Sequence, residues 1–430
     1  MIPRTAQARR AEELGGQGLE WLLGRARAGE ADSGALGWPY APSAAETNPG
    51  LYYGSSGVVL ALLEGWRHFG EDRYADAAVR GARSIAAAVP SYDSDGLYMG
   101  LAGMAFALRK VARLTGDEAS DAAADRALER VRVRFDGETG RWNVMFELLM
   151  GNAGVGLGAL AAGDEELALL AVTPYLDTAD PTPGGVNWKV RQSEARSHHV
   201  AHGTLGIAYA LAAVGRATDR SDLIELALRG AADVVAREEE GPEGFLVPHS
   251  DPPHRPDIIE RYSYGWCNGP AGDAQVFRLL ESVTGDAAWA ALGERCWNTV
   301  TRSGLPKRVR PGFWDNNGRC CGTAGVLALA CDRLMEHSDS NEGSDGADTA
   351  QFAELLVDDL IERATVDGSG ARWSNHEHTA TPGDLEPQIG WAHGNAGIVR
   401  ELLRYARIEG GADPAYAAAM PDHLPGESER

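Results

Sequence analysis

Three of the five cysteines in this chain lie directly before a Gly-x-x-Gly sequence. Cys267 is two residues ahead of Gly269 in GWCNGPAG, and Cys320 and Cys321 precede Gly322 in CCGTAG. Both stretches open an apolar run with helical spacing, so they are two copies of one structural unit. If the two units are neighbours, the three sulfurs lie close together. Three thiolates suit Zn²⁺ and leave its fourth tetrahedral position open, which is typical of a catalytic zinc site.

The chemistry that such a site favours is thiol activation. Three thiolates on Zn²⁺ give a net charge of about −1, which makes the metal a poor activator of water but keeps an incoming thiolate nucleophilic. A free thiol is only a few per cent ionised at pH 7, and metal binding removes that limit. The alternative is that the three cysteines are small buried apolar residues. That alternative is preferred for Cys296 and Cys331, which lie in helix bodies.

The Gly-x-x-Gly sequence occurs seven times, each time ahead of a small and apolar run. Between consecutive copies lies a more charged stretch whose apolar residues recur every three or four positions, as in a helix with one buried face. Each repeat is therefore predicted to be an inner apolar helix followed by an outer amphipathic one. The seven copies are Gly54/Gly57, Gly100/Gly103, Gly151/Gly154, Gly203/Gly206, Gly269/Gly272, Gly322/Gly325 and Gly394/Gly397. The outer helices are predicted within residues 73–88, 118–134, 221–238, 287–301 and 352–364.

Helix pairs of this period stack as an open solenoid or close into a ring. The ring is favoured, because the inner helices are apolar nearly all round and a solenoid leaves one of their faces in water. The prediction is an all-α fold, an α/α toroid of seven helix pairs in one domain spanning residues 1–411. The acidic segment 338–349 is predicted to be disordered and residues 412–430 to be a C-terminal tail. The paired glycines are expected to let inner helices approach each other and to gather their N-termini around one mouth.

The residue before the first glycine of each repeat is expected to face this mouth. In the fourth repeat it is His202, a candidate to give or take a proton near neutral pH, and His393 has the same place in the seventh. Glu147, four residues before Gly151, is a carboxylate among apolar side chains and needs a partner. The full set is Tyr53, Met99, Met150, His202, Asn268, Cys321 and His393. Four other histidines are interpreted as solvated or substrate-facing: His198, His199, His376 and His378.

Long loops precede several repeats, at residues 177–199, 239–264 and 367–390. They are rich in Pro, Gly, Asp and aromatic residues, so they are candidates to cover the mouth and bind substrate. A tryptophan often lies shortly before the glycines, and it has two equal interpretations, substrate contact or hydrophobic plugging of the barrel end. These tryptophans are Trp142, Trp188, Trp314 and Trp373.

Composition excludes several classes of partner. A formal charge of −22 over 430 residues argues against nucleic acid and against an anionic membrane surface, since both are bound through Lys and Arg. The N-terminus has no apolar signal-peptide core, and no run approaches the roughly 18 apolar residues of a membrane helix. Five cysteines do not suggest a disulfide framework, so a reducing cytoplasm is the predicted compartment.

Taken together, the motifs AHGTLG, GWCNGPAG and CCGTAG, in this order within seven glycine-headed repeats, resemble the lanthionine cyclase (LanC) and LanC-like family. The resemblance covers nearly the whole chain. It implies a zinc-dependent α/α toroid that adds a cysteine thiol to dehydroalanine or dehydrobutyrine in a peptide, forming a thioether. LanC-like relatives use glutathione as the thiol.

The resemblance also implies roles for individual residues. Cys267 matches the cysteine of the Trp-Cys-x-Gly motif, and Cys320 that of the Cys-His-Gly motif. Cys321 stands where most members have histidine, as in a Cys-Cys-Gly subgroup. His202 matches the histidine held to protonate the enolate after thiol attack. Glu147 aligns with an acidic residue that is aspartate in some members.

Two positions depart from the family pattern. Ser263 stands where an arginine is frequent, four residues before Cys267, and nearby Arg261 is a candidate to replace it. Asn268 stands where tyrosine or histidine is frequent. Both departures leave the metal ligands intact but put the proton-transfer partners in question.

The predicted function is zinc-dependent addition of a peptide cysteine to a dehydroamino acid, with His202 and Glu147 in proton transfer. No dehydratase or kinase region is recognised, so a separate protein is expected to make the dehydrated precursor peptide. One alternative is addition of a glutathione-type thiol to dehydroamino acids in proteins. Another is a non-catalytic zinc-containing scaffold that binds peptides. A glycoside hydrolase is a third, but it needs paired carboxylates, whereas the mouth offers sulfur and histidine.

Overall fold

The computed structural model describes residues 5–29, 34–308, 316–339, 345–375 and 386–423. None of the helices in this described part is long and apolar enough to cross a membrane. In chain order they are α1 Ala6–Gly24, α2 Ser55–Phe69, α3 Asp72–Ala88, α4 Leu101–Thr115, α5 Glu118–Val133, α6 Asn152–Ala162, α7 Glu165–Val172, α8 Pro174–Asp177, α9 Thr204–Ala217, α10 Ser221–Val235, α11 Pro270–Thr284, α12 Ala287–Arg302, α13 Thr323–Asp339, α14 Asp345–Arg363 and α15 Asn395–Glu409.

Short antiparallel strand pairs brace the loops between helices. Each pair is a two-stranded sheet of two or three residues per strand. The pairs are β1 Arg27–Ala28 with β2 Leu36–Gly37, β3 Asp180–Thr182 with β4 Gly185–Asn187, β5 Arg196–Ser197 with β6 Ser250–Asp251, and β7 Thr365–Asp367 with β8 Gly370–Arg372.

The helices that follow the Gly-x-x-Gly sequences form a closed inner ring. Each packs against the next in the order α2, α4, α6, α9, α11, α13 and α15, and α15 packs against α2. Most of their side chains are buried on every face, which explains why their sequences are apolar nearly all round. The predicted α/α toroid is confirmed.

The outer ring contains one helix that the repeat pattern did not reveal. Helices α3, α5, α7, α10, α12 and α14 each pack on the inner helix that precedes them in the chain, as predicted. The seventh inner helix, α15, takes its outer partner from the N-terminus, because α1 packs along it. The two ends of the chain therefore close the toroid. Helix α1 follows no glycine signal, so the sequence pattern gave no sign of this role.

The second glycine of each repeat is required by the turn before the helix. A Cβ at Gly103 would lie 1.7 Å from the carbonyl oxygen of Leu97, and one at Gly272 would lie 1.9 Å from that of Trp266. In all seven repeats a Cβ added to the second glycine would lie no more than 2.6 Å from the carbonyl oxygen of the residue six places earlier. The closest approach is therefore between a helix and its own preceding turn. Some of these glycines also face the neighbouring repeat, because a Cβ at Gly57 would lie 2.7 Å from the backbone nitrogen of Trp391 and one at Gly397 would lie 2.8 Å from Arg319 Cβ. The expected close approach between repeats is therefore present as well.

We expect Gly103→Ala to destabilise the protein by several kcal/mol, since the turn at Leu97 must move to admit the methyl group. Gly293→Ala is the matched control, because this helical glycine in α12 has nothing within 4 Å of an added Cβ. It is expected to stabilise the protein by about 0.4–1 kcal/mol. Denaturant unfolding of both variants measures the difference. Similar stabilities for the two would contradict the role assigned to the second glycine.

Residues 412–423 do not form the predicted tail. Tyr416, Ala418, Met420, Asp422 and His423 are all buried. The segment contacts charged side chains of the inner helices, so it packs inside the ring. The mostly apolar sequences of these helices did not indicate such contacts. The toroid therefore extends past residue 411.

Buried charges of the inner helices hold this segment in place. Glu64 of α2 accepts the N–H of Ala417 at 3.1 Å, and Asp332 of α13 pairs with His423 Nε2 at 3.2 Å. Glu401 of α15 accepts the hydroxyl of Tyr416 at 2.6 Å. Each of these carboxylates also pairs with an arginine of the ring: Glu64 with Arg407, Glu401 with Arg319 and Asp332 with Arg404. The segment therefore adds a further partner to each buried ion pair.

Part of the acidic segment 338–349 is helical, contrary to the prediction. Helix α13 continues to Asp339 and helix α14 begins at Asp345. The prediction of disorder was wrong for residues 338–339 and 345–349, which are helical. Residues 340–344 lie outside the described residues.

The described loop tryptophans attach loops to neighbouring helices. Trp142 Nε1 donates to the carbonyl of Val131 at 2.7 Å, and Trp373 Nε1 donates to that of Leu360 at 2.7 Å. Trp188 Nε1 donates to the carbonyl of Tyr175 at 3.0 Å. These contacts give the three residues a structural role. Trp314 lies outside the described residues.

Candidate active site

A ring of backbone hydrogen bonds joins the turns that precede the inner helices. The residue two places before the first glycine of a repeat donates its N–H to the carbonyl of its counterpart in the neighbouring repeat. Six such bonds of 2.8–3.1 Å link Ala201, Cys267, Cys320, Ala392, Tyr52, Tyr98 and Leu149 in that order. The seven helix N-termini therefore meet at one end of the toroid. Their aligned dipoles favour negative charge there.

The hydrogen-bonded ring is interrupted once, between the third and fourth repeats. Leu149 N–H donates to the carboxylate of Glu147 at 3.1 Å, and Met150 N–H donates to the same carboxylate at 2.9 Å. The Oε2 atom of Glu147, which accepts the N–H of Leu149, also lies 2.9 Å from His202 Nδ1. Glu147 is fully buried, whereas the imidazole of His202 is 30% exposed. The carboxylate thus orients the ring of His202 so that its Nε2 edge remains available at the mouth.

The three predicted cysteine ligands converge. Cys267 Sγ lies 3.0 Å from Cys321 Sγ, and Cys321 Sγ lies 3.4 Å from Cys320 Sγ. All three sulfurs lie within 4.8 Å of one another and are buried, and none is in a disulfide. Within the described part of the chain this is the one group of three or more Cys, His, Asp or Glu side chains able to hold a metal ion.

Electrostatics show that the cluster suits a cation. The hydrogen bond with Cys320 raises the pKa of Cys267, and burial adds to the rise, although the hydrogen bond with Cys321 acts against it. Hydrogen bonds with both neighbouring thiols raise the pKa of Cys321, and burial adds to that rise. Burial also acts to raise the pKa of Cys320, but hydrogen bonds from the other two thiols and from His393 outweigh it and lower that pKa. The Cys320 thiolate therefore forms readily, and its negative charge opposes ionisation of the other two thiols. A divalent cation would remove that opposition. Sulfurs around tetrahedral Zn²⁺ lie about 3.8 Å apart, which is within the 4.8 Å that spans the three sulfurs here.

Two further residues border the sulfurs. The hydroxyl of Tyr52 donates to Cys320 Sγ at 3.2 Å and lies 3.5 Å from His393 Nε2. Tyr52 was not predicted as a site residue. The available signal was its position, two residues before Gly54, which is equivalent to that of Cys267 and Cys320.

The structure places Asn268 and Arg261, the residues linked to the two departures from the family pattern, in different surroundings. Asn268 hydrogen-bonds the sulfur of Cys267 and acts to lower its pKa, so this side chain belongs to the cysteine cluster. Arg261 does not replace the arginine absent at Ser263. Its guanidinium is about half exposed and binds Glu239 at 2.6 Å and the hydroxyl of Tyr262 at 2.8 Å.

The interpretation of two loop histidines as solvated or substrate-facing was wrong. His198 and His199 are buried. Burial, followed by the charge of His199, lowers the pKa of His198 to about 3. His199 Nδ1 pairs with Asp273 of α11 at 2.7 Å, which joins the loop carrying His202 to the helix that follows Cys267. The remaining two, His376 and His378, lie outside the described residues.

Cys296 and Cys331 are fully buried in α12 and α13, as predicted. Burial raises the pKa of both thiols. They therefore act as small apolar side chains of the core.

An aromatic layer lies beneath the site. Tyr98, Trp266 and Trp391 contact one another with ring centroids 4.9–5.5 Å apart. The hydroxyl of Tyr98 donates to Asp422 at 2.8 Å, so the C-terminal segment supports this layer from inside the ring. Because Trp266 and Trp391 directly precede Cys267 and Ala392, the layer also holds the turns of the hydrogen-bonded ring.

Comparison with solved structures supports the fold. Nisin cyclase superposes with a TM-score of 0.59 at 15% identity, covering 84% of this chain and 92% of that one. An α-1,6-mannanase of Salegentibacter sp. HEL1_6 matches with a TM-score of 0.52 at 12% identity, covering 94% and 99%. An unsaturated glucuronyl hydrolase of Streptococcus agalactiae matches at 0.50 and 11%, covering 94% and 92%. At these identities the likeness shows the fold alone.

Comparison of sequences identifies the family. Curated protein sequences give no significant match. The family model described as "Lanthionine synthetase C-like protein" matches residues 45–257 and 254–349, which include Glu147, His202 and the three clustered cysteines. The matched region spans well over half of the chain. The chain therefore belongs to the lanthionine synthetase C-like protein family.

Proposed function

We propose that this protein adds a thiol to the Cβ atom of a dehydroalanine or dehydrobutyrine residue in a peptide, with Zn²⁺ as cofactor. The product is a lanthionine-type thioether. The observation that carries the proposal is the convergence of three unpaired cysteine sulfurs within 4.8 Å at the end of the toroid where His202 and Glu147 also lie. Membership of the family supports the same class of reaction.

The donor set suits Zn²⁺, with Cys267, Cys320 and Cys321 as its protein ligands. Bound zinc would supply an open position for the incoming thiol and would lower the pKa of that thiol. The hydroxyl of Tyr52 stabilises negative charge on Cys320, and the Asn268 amide does the same on Cys267.

His202 is assigned the proton transfer that completes the addition. Attack of the thiolate sulfur on Cβ forms the C–S bond and moves the double-bond electrons onto Cα and the adjacent carbonyl. His202 Nε2 then delivers a proton to Cα. Glu147 accepts the Nδ1–H hydrogen bond, which sets the tautomer and stabilises the positive imidazole before the transfer. Two backbone N–H groups hold the Glu147 carboxylate in place for this task.

A direct assay tests the proposal. The metal content of the purified protein is measured first, and the protein is then given a dehydroalanine peptide with either an internal cysteine or glutathione. One zinc per chain with thioether formation is the expected result. The thiol that reacts distinguishes peptide cyclisation from glutathione addition. Zinc without turnover on any thiol would overturn the proposal in favour of a peptide-binding scaffold.

We expect His202→Asn to retain one zinc per chain and to lower kcat by about 10²–10⁴-fold, the usual contribution of a general acid or base. The physical reason is that asparagine cannot transfer the proton, while no sulfur contact is disturbed. Zinc analysis and steady-state kinetics measure the two effects. His68→Asn is the matched control, since this buried histidine pairs with Glu12 on the outer side of the ring. Loss of zinc in His202→Asn would contradict the assignment.

A further inference from the structure

Arg191 is held next to the Glu147–His202 pair by the backbone. The carbonyl of Val190 accepts the N–H of Phe146 at 2.8 Å, so Arg191 and Glu147 each directly follow one of the two hydrogen-bonded residues. The guanidinium Nη2 donates to the hydroxyl of Ser197 at 3.2 Å. Ser197 belongs to β5, at the start of the loop that carries His202.

The guanidinium of Arg191 has no carboxylate partner within the described part of the chain. Its Nε is buried and makes no hydrogen bond. Two fully buried arginines of the ring differ in this respect: Arg319 binds Glu401 at 2.9 Å and Arg404 binds Asp332 at 2.6 Å. A partly desolvated guanidinium without a carboxylate partner is costly to retain, which is a reason to look for a ligand that carries negative charge.

The charge of Arg191 reaches the groups around the mouth. The negative charge of Glu147 acts on Arg191, although burial is the larger influence and lowers the pKa of this guanidinium. Burial lowers the pKa of His249 well below its ordinary value, and the charges of His199, His202 and Arg191 lower it further. In a chain of net charge −22, Arg191 is a positive charge near Glu147, the carboxylate that binds His202.

We propose that Arg191 is a catalytic residue that binds the carbonyl oxygen of the dehydroamino acid and stabilises the enolate formed there. This inference rests on the proposed function and names the group that receives the displaced charge. The C–S bond forms at Cβ, the Cα=Cβ electron pair moves toward the carbonyl, and the oxygen becomes negative. The guanidinium N–H groups donate to that oxygen until the proton from His202 reaches Cα. The oxygen needs such donors because a desolvated oxyanion is unstable without them.

The test compares Arg191→Met and Arg191→Lys with the wild-type protein. Arg261→Met is the matched control, because the guanidinium of this exposed arginine already binds Glu239 and the hydroxyl of Tyr262. Thioether formation is measured at several peptide concentrations to separate kcat from KM. Exchange of the Cα hydrogen of the thioether product in D₂O is measured as well, since it requires the enolate but no free thiol. Zinc content and thermal stability are recorded for every variant.

We expect Arg191→Met to lower both kcat and the rate of Cα exchange by about 100-fold, as for loss of one oxyanion donor. Arg191→Lys is expected to recover only part of this, because a single ammonium does not reproduce the planar guanidinium donors. Zinc content is expected to stay at one per chain, and Arg261→Met to behave as wild type.

Three results would overturn the inference. Wild-type rates of addition and of exchange in Arg191→Met would remove the enolate role and leave the proposed function standing. Full recovery of both rates in Arg191→Lys would mean that Arg191 only neutralises the charge of Glu147, because a lysine ammonium can do that equally well. Absence of both addition and exchange in the wild-type protein would overturn the proposed function, and the role of Arg191 with it.

Discussion

Replacement of Cys267 by alanine is expected to reduce bound zinc from one per chain to none and to reduce thioether formation to the uncatalysed rate. Only Cys320 and Cys321 would remain, and two thiolates on one short turn do not complete a tetrahedral site. The loss is expected to be large because metal affinity depends on every ligand of a preformed set. Elemental analysis of the purified variant and the thioether assay measure the two effects. Cys320→Ala and Cys321→Ala are expected to give the same result.

The control for this experiment is Cys296→Ala. Cys296 is buried in the outer helix α12 and is not among the three clustered sulfurs. The substitution removes a thiol from the core without touching the site, so zinc content and activity should remain at wild-type levels. Full zinc occupancy in Cys267→Ala would show that the metal is bound elsewhere and would remove the basis of the proposed function.

A chain that ends at Gly411 is expected to lose most of its stability. Truncation removes the N–H that Glu64 accepts, the hydroxyl that Glu401 accepts and the imidazole paired with Asp332. Each carboxylate keeps its arginine partner, but a lost hydrogen bond to a charged group costs about 1.5–3 kcal/mol, and a folded protein has only about 5–15 kcal/mol in total. We expect the midpoint of thermal unfolding, followed by circular dichroism, to fall by about 10 °C or more.

A chain that ends at His423 is the control, since it retains all the contacts described for residues 412–423. Its unfolding midpoint should match that of the full chain. An unchanged midpoint in the chain ending at Gly411 would mean that water satisfies these charges as well as the C-terminal segment does. In that case the segment would not be a structural part of the toroid.

The interior of the toroid links the two predictions. The aromatic layer of Tyr98, Trp266 and Trp391 separates the sulfur cluster from the C-terminal segment. Tyr98 contributes its backbone to the hydrogen-bonded ring and its hydroxyl to Asp422. Loss of the segment is therefore expected to disturb the turns that carry the cysteines as well as the stability of the ring.

Local signals made much of this protein predictable. The Gly-x-x-Gly turn is encoded within a few residues, because the second glycine must face the carbonyl six residues before it. Each turn therefore marks one inner helix, and residues at the same place in two turns occupy equivalent places in space. Cys267, Cys320 and Cys321 were found in this way. His202 was found by the same reasoning, one place before its glycine.

What the sequence determined by itself was thus the repeat, the inner helices and the residues attached to their turns, since these depend on short-range sterics and periodicity. Only the tertiary structure decided the pairing of α1 with α15, the burial of residues 412–423, the contact of Tyr52 with Cys320, and the neighbourhood of Arg191 and Glu147. These contacts join residues far apart in the chain and follow no period. They form because the ring closes and because buried charges and hydroxyls then need partners.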